Sequence, residues 1–389
     1  MGIFDKVHNR KNTHSVKWDA LDRVFNTEDV LPMWVADMDF RAPEAVNQAI
    51  KERAEHGIYG YTTMDKDLDD AVIHWLKDRH QWNVDDSWIT YSPGVVTSLL
   101  IAIQAFTKPG DAVLIQTPVY PPFFKSITAH ERKIVTNPLI ETDHYYTIDF
   151  EAFEQALQKD VKAFILCSPH NPVGRVWKKE ELKRIADLCI KYNVLIISDE
   201  IHCDLVYEGH THTPIASLST EISQQTITCM SPTKTFNLAG LQTSYVICED
   251  EEKRNTFIEH IDKQGISQLN TIGNIALEAA YMHGHEWLDE LKEILESHKD
   301  YVVKRLESET SLKVTKTEGT YLLWIDCSSL GLSSEELHTF MIQKARVGLN
   351  AGFSYGEEGA TYARINIACP KETLVEGINR IIDAVNLRT

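Results

Sequence analysis

Nowhere in these 389 residues is there a run of about 18 apolar residues, the length that a membrane-spanning helix needs. The opening stretch MGIFDKVHNRKNTHSVKWDA also lacks an apolar segment of signal-peptide length. A soluble, cytoplasmic protein without a membrane partner is the expectation. Positive charge is in deficit: 39 basic side chains stand against 57 acidic ones, a formal net charge of −18. A surface of that sign repels nucleic acid phosphates and anionic lipid, so neither is an expected partner. A small anion remains acceptable, because a few amides at a helix start outweigh diffuse surface charge. The seven cysteines are scattered and never form a CxxC pair, which argues against a disulfide framework or a zinc site and for reduced thiols. GxGxxG, Walker and HExxH patterns are missing too. Histidines two apart occur in GHTHTP (Gly209 to Pro214) and HGHE (His283 to Glu286), but neither completes a ligand set, and no metal is expected.

What the sequence does contain is an ordinary globular balance, 43% hydrophobic and 25% charged. Its length suits a large domain with a smaller companion. Four short apolar runs end in polar or turn residues: Asp111 to Pro118, Lys162 to Pro169, Asn193 to Glu200 and Gln225 to Pro232. Runs of this length, rich in Val and Ile, read as strands buried on both faces. Between two of them, Leu182, Ile185, Ala186, Cys189 and Tyr192 recur at helical spacing. Alternating strand and helix predicts an α/β fold with a mostly parallel central sheet and helices on both faces. Near-heptad spacing of Leu288, Leu291, Leu295, His298, Val302 and Leu306 predicts either a coiled coil or a long helix joining two domains. Beyond it, strand-like Thr320 to Cys327 and Tyr362 to Cys369 flank a helical stretch, as in a compact α+β domain. The expected division is a large cofactor-binding domain over 48–286 and a small domain from 1–47 and 287–389.

In such sheets ligands collect beyond the carboxyl ends of the strands, and three strand ends offer complementary chemistry. Lys234, in SPTKTFNLAG, lies between a buried strand and a Gly-containing turn, where burial lowers an amine's pKa and makes it a nucleophile. Asp199 lies just past the apolar run Val194 to Ile197 in NVLIISDE; a charge there is costly unless it caps a helix, sits at a solvated strand end or pairs with a cation. In SPGVVTSLL, Pro-Gly precedes a helical pattern, so the amides of Val95 and Val96 can face an anion. An amine, a carboxylate and anion-binding backbone are what an aldehyde cofactor with a phosphate requires.

Together, SPTKTFNLAG, SPHNPVG (Ser168 to Gly174), SDEIH (Ser198 to His202) and the arginine of YARINIACP resemble the fold type I pyridoxal-phosphate enzymes of the aminotransferase superfamily. PMWVADMDF (Pro32 to Phe40) and TPVYPPF (Thr117 to Phe123) narrow the resemblance to the cystathionine β-lyases of the MalY/PatB group, over essentially the whole chain. The resemblance implies pyridoxal 5′-phosphate held in a Schiff base by Lys234, which also shuttles protons, with Asp199 paired to the pyridine nitrogen. It implies that Asn171 hydrogen-bonds the cofactor's phenolate oxygen, Tyr120 stacks on the ring and Ser231 binds the phosphate. Tyr61 would reach the phosphate of the neighbouring subunit in a homodimer with shared sites. Arg364 would grip the substrate α-carboxylate, a task suited to its two-pronged donors. There are two departures from the wider superfamily: Gln242 stands where many aminotransferases have a phosphate-binding arginine, and His202 where they often have a tyrosine. His202 is expected in the cofactor pocket.

The expected activity is carbon–sulfur β-elimination from cystathionine or another cysteine S-conjugate, giving a thiol, pyruvate and ammonia. An aminotransferase using the same lysine is the alternative, since expulsion of thiolate competes with reprotonation of the cofactor. A non-catalytic sensor built on this fold would be expected to carry a winged-helix segment ahead of motifs that here begin by about residue 32.

Overall fold

The four apolar runs become the strands Ala112–Ile115, Val161–Cys167, Leu195–Asp199 and Thr226–Met230. They lie in a seven-stranded sheet ordered Ile89–Ser92, Ser244–Ile247, Thr226–Met230, Leu195–Asp199, Val161–Cys167, Ala112–Ile115, Lys133–Thr136. Only Ser244–Ile247 runs antiparallel to its neighbours. The structure, a computed structural model, describes residues 2–266 and 269–388.

Alternation along each strand sends side chains into two separate cores. On Val161–Cys167, Phe164 and Leu166 pack with Phe153, Leu182 and Ile185 of the helices Phe150–Leu157 and Lys179–Lys191. Ala163, Ile165 and Cys167 pack on the opposite face, with Leu99 and Ile103 of Val95–Phe106 and Phe257 of Glu251–Lys263. The result is the predicted α/β sheet, mostly parallel and covered by helices on both faces. A strand dry on both sides can end in a polar residue only at its rim, and that places Asp199 at the carboxyl edge.

The near-heptad segment forms one helix, His285–Glu309. Its predicted apolar positions are buried, and the helix packs within the chain against Lys371–Asn386. The helical option therefore holds and the coiled-coil option falls, because the chain itself covers the stripe. A second, four-stranded antiparallel sheet is ordered Lys313–Val314, Leu322–Asp326, Tyr362–Asn366, Asn350–Ala351. It carries Arg364 on its third strand. Among the described residues no helix is long and apolar enough to cross a membrane.

The loop of the SPHNPVG motif joins the two sheets. Gly174 has φ +73°, and its carbonyl accepts from the amides of Glu318 and Gly319, just ahead of Leu322–Asp326. Beside it the buried Arg175 donates to Glu318 at 2.9 Å and to Glu181 at 2.8 Å. A Cβ on Gly174 would lie 2.4 Å from Cγ2 of Thr317, so the motif needs glycine for its backbone and for its contact. Gly174→Ala is expected to destabilise the protein by about 1–3 kcal/mol, seen as a lower thermal midpoint by calorimetry; an unchanged midpoint would show that the loop yields.

Candidate active site

Lys234 lies on a helix of only four residues, Pro232–Thr235, directly after the strand Thr226–Met230. Proline sets the first helical dihedral, and Ser231 caps the helix by accepting from the Thr233 amide at 3.0 Å. The lysine therefore leaves the sheet at its carboxyl edge, where Asp199 ends the adjacent strand. Both line a cavity of about 230 Å³ together with Asn171, His202, Tyr120 and Gln242.

Its electrostatics follow from burial. The Lys234 amine is lowered to about 8, by burial first and by Arg364, with Asp37 and Asp199 opposing the shift. Nζ donates to the Ala36 carbonyl at 2.6 Å. Burial raises the Asp199 carboxyl to about 7, against the pull of the Ile201 amide, which donates to it at 3.2 Å, and of Lys234. Among the described residues no cation pairs with Asp199, and no helix begins between it and Ile215, so Asp199 caps none. The imidazole of His202 is held neutral by burial, with Lys234 and Arg364 adding to the effect, and its Nδ1 is buried without a partner.

At the far end of the cavity the helix Val95–Phe106 begins. Its first amides, those of Val95, Val96 and Thr97, have no acceptor within the helix. Gly94 precedes them at φ +145°, with open space where a Cβ would stand. The Thr243 hydroxyl, also in the cavity wall, is buried without a partner. Several donors at one end and a lone carboxylate further along suit a ligand carrying a phosphate and a cation.

Arg364 is 3% exposed. Its Nη1 donates to Asn171 Oδ1 at 3.0 Å, and its Nη2 to Asn350 Oδ1 at 2.7 Å and the Trp34 carbonyl at 3.0 Å. Nε is buried without a partner. A guanidinium so placed beside the cavity has donor capacity to spare for a carboxylate.

Eight of the ten residues singled out from the sequence meet around this one cavity, with Arg364 at its edge through Asn171. Two do not. The Ser231 hydroxyl is buried outside the cavity lining, donates to the Thr243 carbonyl at 2.7 Å and caps the lysine helix; Thr233 and Thr243 line the wall in its stead. Tyr61 is fully exposed, away from its own chain's cavity. Ala36 was missed altogether, since it takes part through its backbone and no side-chain pattern marks it. Thr243 could have been found as the hydroxyl next to Gln242.

A family model, aminotransferase class I and II, matches residues 28–381. Cystathionine β-lyase PatB of Bacillus subtilis is 47% identical over 385 residues, which span 98% of this chain and 100% of that protein. Cystalysin of Treponema denticola, whose crystal structure contains pyridoxal 5′-phosphate, superposes with a TM-score of 0.96 at 38% identity, covering 99% of each chain. The pyridoxal-phosphate-bound C–S lyase of Staphylococcus hominis gives a TM-score of 0.92 at 32% identity, covering 98% of this chain and 97% of that one. The lysine, the lone carboxylate and the open helix start thus sit in a fold shared with these enzymes along their whole length, and the chain belongs to the class I and II aminotransferase family.

Proposed function

We propose that this protein is a pyridoxal-phosphate-dependent C–S β-lyase that eliminates a thiol from cystathionine or another cysteine S-conjugate, leaving pyruvate and ammonia. The observation that carries the reading is the meeting, in one cavity, of the Lys234 amine, the unpaired Asp199 carboxylate and the amides that open Val95–Phe106. These residues fit the cofactor: the amines and donors have capacity free where an aldehyde and a phosphate would need them, and Asp199 awaits a cation. When bound, the cofactor supplies a carbonyl carbon for amines and a protonated ring that draws electrons from the substrate α-carbon.

The chain's own residues do the rest. Asp199, whose charged form burial disfavours while it has no partner, would ionise beside a protonated ring nitrogen and hold the proton on that nitrogen. Asn171, Tyr120 and His202 enclose the ring, and Thr233 and Thr243 add hydroxyl donors to the amides of Val95 and Val96. Arg364, steadied by Asn171 and Asn350, orients the substrate through its carboxylate. Lys234, whose amine titrates near 8, has a neutral fraction at physiological pH and takes the α-proton as general base. Elimination rather than amino transfer is supported by the likeness to PatB and the Staphylococcus C–S lyase. In this reading residues 48–286 form the cofactor domain, residues 1–47 with 287–389 the small one, and the protein works in the cytoplasm. The exposed stretch with Ile58, Tyr59 and Tyr61 meets a second copy, so that Tyr61 completes the partner's phosphate site.

Purified protein with pyridoxal phosphate should absorb in the visible and release thiol and pyruvate from cystathionine in equal amounts without a keto acid. In Lys234→Ala, borohydride should no longer fix the cofactor to the chain, and a variant that still traps it would overturn the assignment. Asp199→Ala should retain some cofactor yet lose most turnover. In the cofactor-free protein, the raised Asp199 pKa favours the protonated fold, so its contribution is present below about 4 and lost as pH rises through about 7. Calorimetry of cofactor-free Asp199→Asn should show that slope removed, whereas wild-type turnover in Asp199→Ala would make the carboxylate merely structural. Finally, Tyr61→Phe and Lys234→Ala homodimers should each be impaired, while exchanging subunits between them should restore up to about half of one dimer's capacity; hybrids without regained activity would refute shared sites.

A further inference from the structure

Residues 34–40 pass the site through Ala36 outside either large sheet, and side chains hold most of their carbonyls in place of a ladder. The Trp34 carbonyl accepts from Arg364 at 3.0 Å, and those of Val35 and Asp37 from Asn366 Nδ2, each at 2.6 Å. The Ala36 carbonyl accepts from Lys234 at 2.6 Å and from the Tyr321 hydroxyl at 3.0 Å. Those of Met38 and Phe40 accept from Asn237, at 2.9 and 2.8 Å. The substrate arginine and the lysine thus grip the same strap two residues apart.

Two carboxylates on this strap are tied to residues near the N-terminus. Arg10 clasps Asp37 with both terminal nitrogens, at 3.1 and 2.7 Å, and reaches Asp39 at 2.7 Å and the Met38 carbonyl at 3.0 Å. Lys17, only 1% exposed, pairs with Asp39 at 2.6 Å, and Trp18 Nε1 donates to Asp39 at 2.8 Å. A buried ammonium is a costly device for mere cohesion, because apolar packing would hold the segment as well. What the ion pairs add is direction: charge-assisted bonds, one of them two-pronged, fix orientation as well as proximity.

We infer that Arg10 and Lys17 are positioning residues, which through Asp37 and Asp39 keep the Ala36 carbonyl in place as the rest for the free amine of Lys234. This deepens the proposed function and rests on its reading of Lys234 as the base. While it acts as base, the amine is free. By donating one N–H to a carbonyl that cannot protonate it, the amine keeps its lone pair and loses its rotational freedom. Besides Asp37, the charged or titratable groups that act on the amine are Asp199, Arg364 and His202, from the large sheet, the small sheet and the loop after Leu195–Asp199.

The test uses Arg10→Gln, Arg10→Lys and Asp37→Asn, which leave Asp39 its partners Lys17 and Trp18. With the holoenzyme, kcat in Arg10→Gln and Asp37→Asn should fall by about tenfold to a hundredfold, the usual penalty of a misplaced group. KM should change little, the isotope effect of α-deuterated substrate should grow as proton removal becomes limiting, and Arg10→Lys should recover part of the loss. With cofactor-free protein, the pH midpoint for acylation of Lys234, read by peptide mass spectrometry, should lie near 8 in the wild type. It should fall in Asp37→Asn, which removes a neighbouring negative charge, and rise in Arg10→Gln, which leaves that charge uncompensated. A loss of kcat with unchanged isotope effect and midpoints would mark the latch as structural and overturn the inference, as would wild-type values throughout. If the wild type releases no thiol, the proposed function fails, while the acylation midpoints still judge the latch.

Discussion

Everything at this site depends on burying an amine and a carboxylate side by side without letting them pair with each other. A direct ion pair between Lys234 and Asp199 would satisfy both and leave neither for chemistry. The fold prevents it by placing them on adjacent strand ends, the lysine turned toward the Ala36 carbonyl and the carboxylate toward the Ile201 amide. Each then bears the cost of a dry setting as a displaced pKa, the amine down and the carboxyl up. A ligand that presents an aldehyde to one and a cation to the other relieves both.

Behind the cavity lies a polar layer of opposite character, in which the carboxylates are well satisfied. Asp204 accepts from His80 at 2.8 Å, Trp75 at 3.2 Å and Thr235 at 2.7 Å, and burial's upward push on it is overcome by these donors. Glu200 accepts from His212, Ser198 and the Ile215 amide. Thr235 adjoins Lys234, so Asp204 anchors the short lysine helix from beneath. His212, one of the histidines spaced two apart, is thus a buried partner of Glu200. His80, Cys203 and Asp204 come close enough for a metal, but Asp204 is already occupied by three donors. The carboxylates of this layer are satisfied, whereas His202 and Thr243, in the cavity wall, and Arg364, beside it, each keep a buried polar atom without a partner.

The N-terminal strap joins these layers to the small sheet. Asn366 and Arg364, on one strand of that sheet, and Asn237, just past the lysine helix, all bind its backbone. A displacement of the small sheet would therefore move Arg364 and the Ala36 carbonyl that Lys234 bonds together.

The sequence by itself determined the strands, the helix between two of them and the long helix near residue 300, because apolar periodicity is local and burial enforces it. It also marked Lys234, Asp199 and the start at Val95, since a polar residue ending a dry strand has few places to go. Resemblance of motifs added Asn171, Tyr120, His202 and Arg364, which no spacing rule would have joined. Only the tertiary structure decided that Ser231 caps a helix while Thr233 and Thr243 line the wall. Hydroxyl direction is set by the turn in which it sits, and residue type does not record it. Likewise only the fold brought Ala36 to Lys234 and Arg10 to Asp37, because backbone carbonyls and long-range ion pairs leave no periodic trace along the chain.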